Sequence, residues 1–164
     1  IAHQTRLAVM EEKNVSPNIV YMQDTLNIDT SVRKFTSLNT AIQLRLDQHP
    51  SIKCGVVNIS LLHTSASLIV TENTCEDVLQ DLDDFFSKLI PHSNTLYRHN
   101  AEGIDDMPAH IKNILMPPSI TLALTNGQLN LGQWQGIYLY EHRAQPTMRQ
   151  IVITAHGQSN QSNY

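Results

Sequence analysis

Hydrophobic positions along the 164-residue chain follow two periods, and the change from one to the other separates predicted strands from predicted helices. Apolar and β-branched residues alternate or run together in several short segments, which is typical of strands. These segments are 19–28, 51–62, 68–70, 120–124, 129–131, 136–140 and 151–153. The Asn126-Gly127 pair between two of them predicts a β-hairpin, because both residue types tolerate a positive φ.

A helical period occurs in three places. The strongest extends from Cys75 to Ile90, where apolar residues recur at three- and four-residue steps and acidic residues fill many of the positions between them. Thr74 is the expected N-cap of this helix, and Pro91 ends it. Shorter helices are predicted over 41–46 and over 109–115.

Strands outnumber helices and the elements cluster by type, so the pattern predicts an α+β fold. We expect one compact domain in which a mostly antiparallel sheet packs with two to three helices. Residues 1–18 carry no sustained period and are expected to be an N-terminal extension outside the core. The domain is expected to span 19–157, and residues 158–164 to form a polar tail.

Composition narrows the classes of function. The net charge is −4 and the eleven basic residues are scattered, so a nucleic-acid partner is not expected. No apolar stretch reaches the length of a membrane span or resembles a signal core, so no membrane partner is expected. A cytoplasmic location is expected unless a targeting segment precedes Ile1. The two cysteines are expected to be buried, reduced thiols.

Three of the eight histidines lie where polar segments interrupt the hydrophobic pattern. His63 follows an apolar strand and begins a hydroxyl-rich break, where the alternative is a buried structural histidine. His99 and His110 bracket a long polar segment that contains several carboxylates. Histidines and carboxylates beside the start of a helix indicate a divalent-metal or anion site, although the spacing matches no standard zinc motif.

Two predicted strand ends place a carboxylate beside basic or amide groups. They are Glu72-Asn73 and Glu141-His142-Arg143, and we hypothesise that both converge with the histidine loop. The alternative is that they are only solvated surface groups. The single tryptophan, Trp134, is interpreted as a packing anchor, or else as a stacking wall for a ring.

Taken together, these motifs resemble the YjbQ-like family, whose members are described as secondary thiamine-phosphate synthases. The motifs are His63-Thr-Ser-Ala-Ser67, Glu72-Asn73, Asp105-Asp-Met-Pro-Ala-His-Ile-Lys112, Leu131-Gly-Gln-Trp-Gln-Gly136 and Glu141-His-Arg143. The resemblance spans roughly residues 19–157. It implies a compact α+β protomer that assembles as a homotrimer, with its sites near subunit contacts.

The resemblance also marks characteristic polar positions, which map here to His63, Glu72, Asn73, His99, Asp106, His110, Trp134, Gln135, Glu141 and Arg149. We expect catalytic roles for His63, Asp106, His110 and Glu141. Substrate contacts are expected for Thr64, Ser65, Glu72, Asn73, Trp134, Gln135, Arg143 and Arg149. The expected metal ligands are His63, His99 and His110. The chain departs from the family pattern at Gln133, at Pro117-Pro118 and over 144–148, and the last two departures change loops.

The reaction implied by the resemblance joins a pyrimidine-methyl diphosphate to a thiazole phosphate and releases pyrophosphate. A leaving diphosphate needs its charge neutralised, so we expect a divalent metal, zinc or magnesium, with Arg143, Arg149 and Lys112 facing phosphates. The alternatives are metal-assisted hydrolysis, with Glu141 or Asp106 activating water, and a module that binds a small anion or metal without turnover. In each case the expected partner is a small phosphorylated or anionic molecule or a metal ion.

Overall fold

The computed structural model describes residues 18–31, 34–49, 52–145 and 147–159, which form eight strands and three helices. The strands are β1 (Ile19–Asp29), β2 (Phe35–Ser37), β3 (Ile52–Leu61), β4 (Ala66–Glu72), β5 (Ser119–Thr125), β6 (Gln128–Leu129), β7 (Gln135–Glu141) and β8 (Met148–Ser159). The helices are α1 (Asn39–Leu46), α2 (Glu76–Leu89) and α3 (Asp106–Leu115). The expected N-terminal extension lies outside the described residues except for Asn18.

The strands form two antiparallel sheets, which confirms the predicted α+β fold. The first sheet has five strands in the order β1-β8-β3-β5-β6, and the second has three in the order β2-β7-β4. The predicted hairpin joins β5 to β6, and both of its turn residues have positive φ, 51° for Asn126 and 79° for Gly127. The turn therefore forms for the reason that the residue types indicated.

The apolar core lies between the two sheets. Alternate residues in the middle of β7 and β8 contribute to it, including Ile137, Leu139 and Ile153, all fully buried. The alternate residues of β7 point to the other face of the second sheet, where the Tyr140 hydroxyl donates to Asp83 of α2 over 2.6 Å. The molecule therefore has three layers, with α2 outermost.

Helix α2 is amphipathic as predicted, yet all of its residues keep some exposure. Phe85 is 60 % exposed and Leu89 is 57 % exposed, so the apolar face of the helix is only partly covered. The expected N-cap was wrong, because Cys75 takes that position and the Thr74 hydroxyl donates to Glu72 instead. No helix in the described ranges is both long and apolar enough to cross a membrane.

Three further details differ from the sequence-based expectations. Strand β8 continues to Ser159, two residues into the expected polar tail, and the amide of Ser159 donates to the carbonyl of Asn18 over 2.8 Å. Helix α3 begins at Asp106, before the predicted start at 109. Both cysteines are exposed rather than buried, since Cys54 lies on an outward-facing position of β3 and Cys75 precedes α2.

Candidate functional site

Four strand ends meet at one edge of the molecule, beside the start of α3. The end of β3 lies next to the start of β8, and the start of β4 pairs with the end of β7 through Ala66 and Glu141. The four residues 62–65 join β3 to β4. This topology brings the His63 break and Glu141 to the same place, together with Arg149 at the start of β8. The end of β7 at Glu141 therefore lies beside the start of α3. This supports the hypothesis that the Glu141-His142-Arg143 strand end converges with the histidine loop.

A buried ion pair holds these strand ends together. Arg149 Nε donates to Glu141 Oε2 over 2.7 Å, and Arg149 Nη2 donates to Glu141 Oε1 over 2.6 Å. Both side chains are buried, and Arg149 Nη2 also donates to Ser65 Oγ over 3.0 Å. A buried carboxylate needs such partners, so the Glu141–Arg149 pair is interpreted as a structural anchor of these strand ends.

The Ser65 contact fixes the proton on His63. The Ser65 amide, which can only donate, lies 3.3 Å from His63 Nδ1, and Ser65 Oγ lies 3.1 Å from the same atom. Nδ1 must therefore accept, and the proton of the neutral ring is assigned to Nε2. Partial burial lowers the pKa of His63 below its usual value, and the positive charge of Arg149 lowers it further. His63 thus presents an N–H donor, which does not suit the ligand role expected for it.

Three other side chains form a compact donor set. His99, Asp106 and His110 each place one ligand-type atom within 4.8 Å of the others. His99 Nε2 lies 2.8 Å from Asp106 Oδ2, and His110 Nε2 lies 3.6 Å from Asp106 Oδ1. Asp106 begins α3 and His110 follows one turn later on the same face, while His99 approaches from the polar loop. Of the expected ligands, His99 and His110 thus meet, with Asp106 between them.

The hydrogen bonds of this set fit a metal centre. His110 Nδ1 lies 2.8 Å from the Thr64 carbonyl, which can only accept, so Nδ1 carries the proton and Nε2 keeps its lone pair. Metal-binding histidines commonly make this backbone contact. Asp106 Oδ2 is buried and, among the described residues, accepts no hydrogen bond, although His99 Nε2 lies nearby. A cation shared by the three side chains would satisfy that oxygen.

Arg143 holds the carboxylate of the donor set in place through hydrogen bonds. Its Nη1 donates to Asp106 Oδ1, its Nε donates to Asp105 Oδ2 over 3.1 Å, and its Nη2 donates to the Glu102 carbonyl over 2.8 Å. Burial opposes ionisation of Asp105, but hydrogen bonds from the Ala144 amide and from Arg143 outweigh it and lower the pKa of that carboxyl. Arg143 therefore orients Asp106 and adds a positive charge beside the histidines.

The remaining predicted site residues lie elsewhere. Glu72 pairs with Gln135, six residues along the strand pair from Ala66 and Glu141. At the rise of a β-strand this separates the two ends by about 20 Å. The structure therefore does not bring Glu72 and Asn73 to the histidine loop, and Trp134 and Gln135 lie with them at the far end. Their role in binding substrate stays a prediction.

Lys112 does not face the site, contrary to the expectation that it faces phosphates. It is 1 % exposed, its Nζ lies 6.0 Å from the centre of the Tyr140 ring, and burial lowers its pKa. Sequence reasoning gave no role to its neighbour His142, which is buried with Nε2 2.9 Å from Ser67 Oγ. Burial, together with the charges of Lys112 and Lys34, lowers the pKa of His142 to about 3. The alternation of β7 could have placed His142 with Tyr140 on the outer face.

The fold and the donor set define a class of protein: an α+β protomer of two antiparallel sheets with two histidines and an aspartate beside the start of a helix. A family model described as UPF0047 protein YjbQ-like matches residues 24–158. The chain belongs to this YjbQ-like family.

Curated relatives and solved structures agree with this assignment. The chain is 43 % identical over 136 residues to UPF0047 protein sll1880 of Synechocystis, covering 83 % of this chain and 92 % of the relative. It is 38 % identical over 139 residues to UPF0047 protein YjbQ of Salmonella typhimurium, covering 85 % and 100 %. A YbjQ-like protein of unknown function from Sulfolobus solfataricus shares the fold with a TM-score of 0.76 at 18 % identity, covering 86 % and 100 %. A yjbq/upf0047 family protein from Clostridium acetobutylicum gives 0.66 at 28 %, covering 80 % and 97 %.

Proposed function

We propose that this chain holds a divalent transition metal on His99 Nε2, Asp106 Oδ2 and His110 Nε2. The observation that carries the proposal is the buried Asp106 Oδ2, which lies 2.8 Å from His99 Nε2 without a hydrogen bond from a described residue. Two nitrogen donors and one oxygen donor suit zinc or another first-row metal, whereas magnesium prefers oxygen ligands. Three protein ligands also leave coordination positions for water or substrate.

The reaction that we propose for this centre is group transfer from a diphosphate ester with release of pyrophosphate, as the family resemblance implies. The substrates would be a pyrimidine-methyl diphosphate and a thiazole phosphate. A bound divalent cation supplies charge neutralisation at the leaving diphosphate. The Arg143 guanidinium lies beside Asp106, and His63 offers its Nε2–H to an anionic oxygen.

Hydrolysis with Glu141 as the general base is less well supported. Both Glu141 oxygens accept hydrogen bonds from Arg149, and Oε1 also accepts one from the Arg143 amide over 2.9 Å. Both oxygens are therefore already engaged by donors, and neither is free to accept a proton from water. The contacts therefore argue against activation of water by Glu141.

We further propose that the protomer assembles as a homotrimer, as the resemblance implies. The support within the protomer is α2, whose Phe85 and Leu89 are more than half exposed on an otherwise amphipathic helix. Covering such apolar side chains is the usual driving force for association. Light scattering on the purified protein would give a mass three times that of the 18.5 kDa chain.

The metal proposal is tested by elemental analysis of protein stripped with chelator and reloaded with zinc. The native chain is expected to retain one zinc per protomer, while His110→Ala and Asp106→Asn lose it. His156→Ala is the matched control, because His156 is an exposed histidine on β8 of the five-stranded sheet. Zinc retained by both site variants would contradict the proposal.

The proposed reaction has a separate readout. Release of pyrophosphate from the two substrates is expected to fall together with zinc occupancy in the site variants. Stoichiometric zinc without zinc-dependent release of pyrophosphate would leave the metal centre standing and reject the transfer reaction.

A further inference from the structure

We propose that the groove at the far end of the β4–β7 pair is a second ligand site, which takes a small, flat organic cation. The groove has a volume of about 510 Å³ and is lined by Val70, Thr71, Glu72, Thr74, Trp134 and Gln135. That volume is within the range of small-molecule sites. The register places the groove about 20 Å from the donor set, so one small ligand cannot reach both ends within a protomer.

The loop that carries Trp134 is held by its backbone. The Asn73 amide donates to the Trp134 carbonyl over 3.0 Å, and Asn73 Nδ2 donates to the Gln135 carbonyl over 3.2 Å. Gly132 and Gln135 close the loop, since the Gln135 amide donates to the Gly132 carbonyl over 2.9 Å and Gln135 Oε1 accepts from the Gly132 amide over 2.8 Å. Trp134 is nevertheless 58 % exposed. The indole is therefore presented to solvent by an ordered loop, which lowers the entropy cost of stacking a ring on it.

The negative charge of the groove favours binding of a cation. Glu72 is the only charged residue among the six that line it. The Thr74 hydroxyl donates to Glu72 Oε1 over 2.6 Å, and in the described part of the chain Oε2 accepts no hydrogen bond. A carboxylate beside an exposed indole attracts a positively charged ring through both Coulomb and cation–π interactions. An anion such as a phosphate would instead be repelled by Glu72.

The test uses the single tryptophan as the reporter, because one tryptophan gives one indole N–H signal in a proton–nitrogen correlation spectrum. The probes are N-methylpyridinium and pyridine at mildly alkaline pH, where pyridine is neutral and nearly the same shape. The indole signal is expected to shift saturably with N-methylpyridinium and at least about fivefold more weakly with pyridine. Equal affinity for the two probes, or no shift with either, would overturn the inference.

Variants separate this site from the metal centre. Glu72→Gln is expected to weaken N-methylpyridinium binding about fivefold. The matched control Asp81→Asn removes an exposed acid of α2 that does not line the groove, and it should bind as the native chain does. His110→Ala should also bind normally, since the groove does not depend on the metal. If Glu72→Gln binds as tightly as the native chain, the assignment to this groove is wrong.

Discussion

The two ends of the β4–β7 strand pair hold their polar groups in opposite ways. At one end Glu141, Arg149 and Asp106 are buried and are fixed by charged hydrogen bonds. At the other end Glu72 and Trp134 are exposed, and hydrogen bonds of the backbone order the loop that carries the indole. The same two strands therefore support a desolvated, ionic site and an open, aromatic one.

This contrast shows where function and stability are coupled. Buried charges interact strongly because little water screens them, but each charge becomes a large penalty when its partner is removed. Exposed groups on an ordered backbone carry no such penalty. We therefore expect substitutions at the ionic end to change both folding and chemistry, and substitutions of the exposed Glu72 and Trp134 side chains to change binding alone.

Arg149→Met should destabilise the chain more than any other substitution considered below. It leaves the Glu141 carboxylate buried without its cation, which should lower the free energy of unfolding by about 3–5 kcal/mol in urea denaturation followed by circular dichroism. The double variant with Glu141→Leu removes both charges and is expected to be more stable than Arg149→Met alone. If the free energy of unfolding of Arg149→Met is within about 1 kcal/mol of that of the native chain, the two ends do not differ in the way described.

The next effect is a dependence of stability on pH that comes from His142, whose pKa is about 3 in the folded chain against an ordinary value of 6.5. Above the ordinary value the ring is neutral in both states. As the pH falls from there toward 3, the unfolded chain takes up the proton first, so stability is lost by at most about 1.4 kcal/mol per pH unit. Below 3 both states are charged and the slope vanishes.

Urea denaturation at several pH values between 7 and 5 tests this against His142→Gln, which keeps a polar partner for Ser67. The native chain should lose more stability on acidification than the variant does. The lowered pKa of His63 acts in the same direction in both proteins and cancels in the comparison. Parallel pH profiles of the two proteins would show that burial of His142 does not cause the loss of stability on acidification.

A smaller effect is expected for Gly136→Ala at the groove end. A Cβ atom there would lie 2.8 Å from Tyr138 Cε2 and 2.9 Å from Asn73 Cβ, so one of these side chains must shift. Overpacking of this kind costs about 1–3 kcal/mol. Thermal denaturation should show the loss, and the indole signal of Trp134 should broaden because Asn73 holds its loop.

The smallest effect on stability is expected for Glu72→Gln. The side chain is exposed and, within the described ranges, accepts a hydrogen bond only from Thr74, so the free energy of unfolding should change by no more than about 0.5 kcal/mol. A loss as large as that expected for Arg149→Met would mean that the two ends are not held differently.

Much of the fold could be predicted from local pattern, because the hydrophobic period reports which face of an element is buried. It located all three helices and the hairpin at Asn126-Gly127. The length of β8 was underestimated, since His156, Gly157 and Gln158 lack the apolar side chains that mark a strand. What pairs them into the sheet is β3 on one side and β1 on the other, which local pattern does not contain.

The sequence predicted which residue types form the site but not which side chains contact one another. His99, Asp106 and His110 were recognised as a histidine and carboxylate cluster, whereas the Arg149–Glu141–Ser65 contacts depend on how distant strand ends pack. Glu72 was placed with the histidines although a seven-residue strand separates it from Ser65. The length of an extended strand alone sets that distance, so this separation could have been predicted from the sequence.

The short connection between β3 and β4 also determines which ring nitrogen carries the proton in His63 and in His110. The Thr64 carbonyl makes His110 carry its hydrogen on Nδ1, and the next residue's amide makes His63 carry its hydrogen on Nε2. Two neighbouring imidazoles thus become one lone-pair donor and one proton donor through main-chain atoms alone. It follows that the side chain at position 64 can be exchanged without changing which ring nitrogen of each histidine carries the proton. A change in the length of the connection would abolish this control.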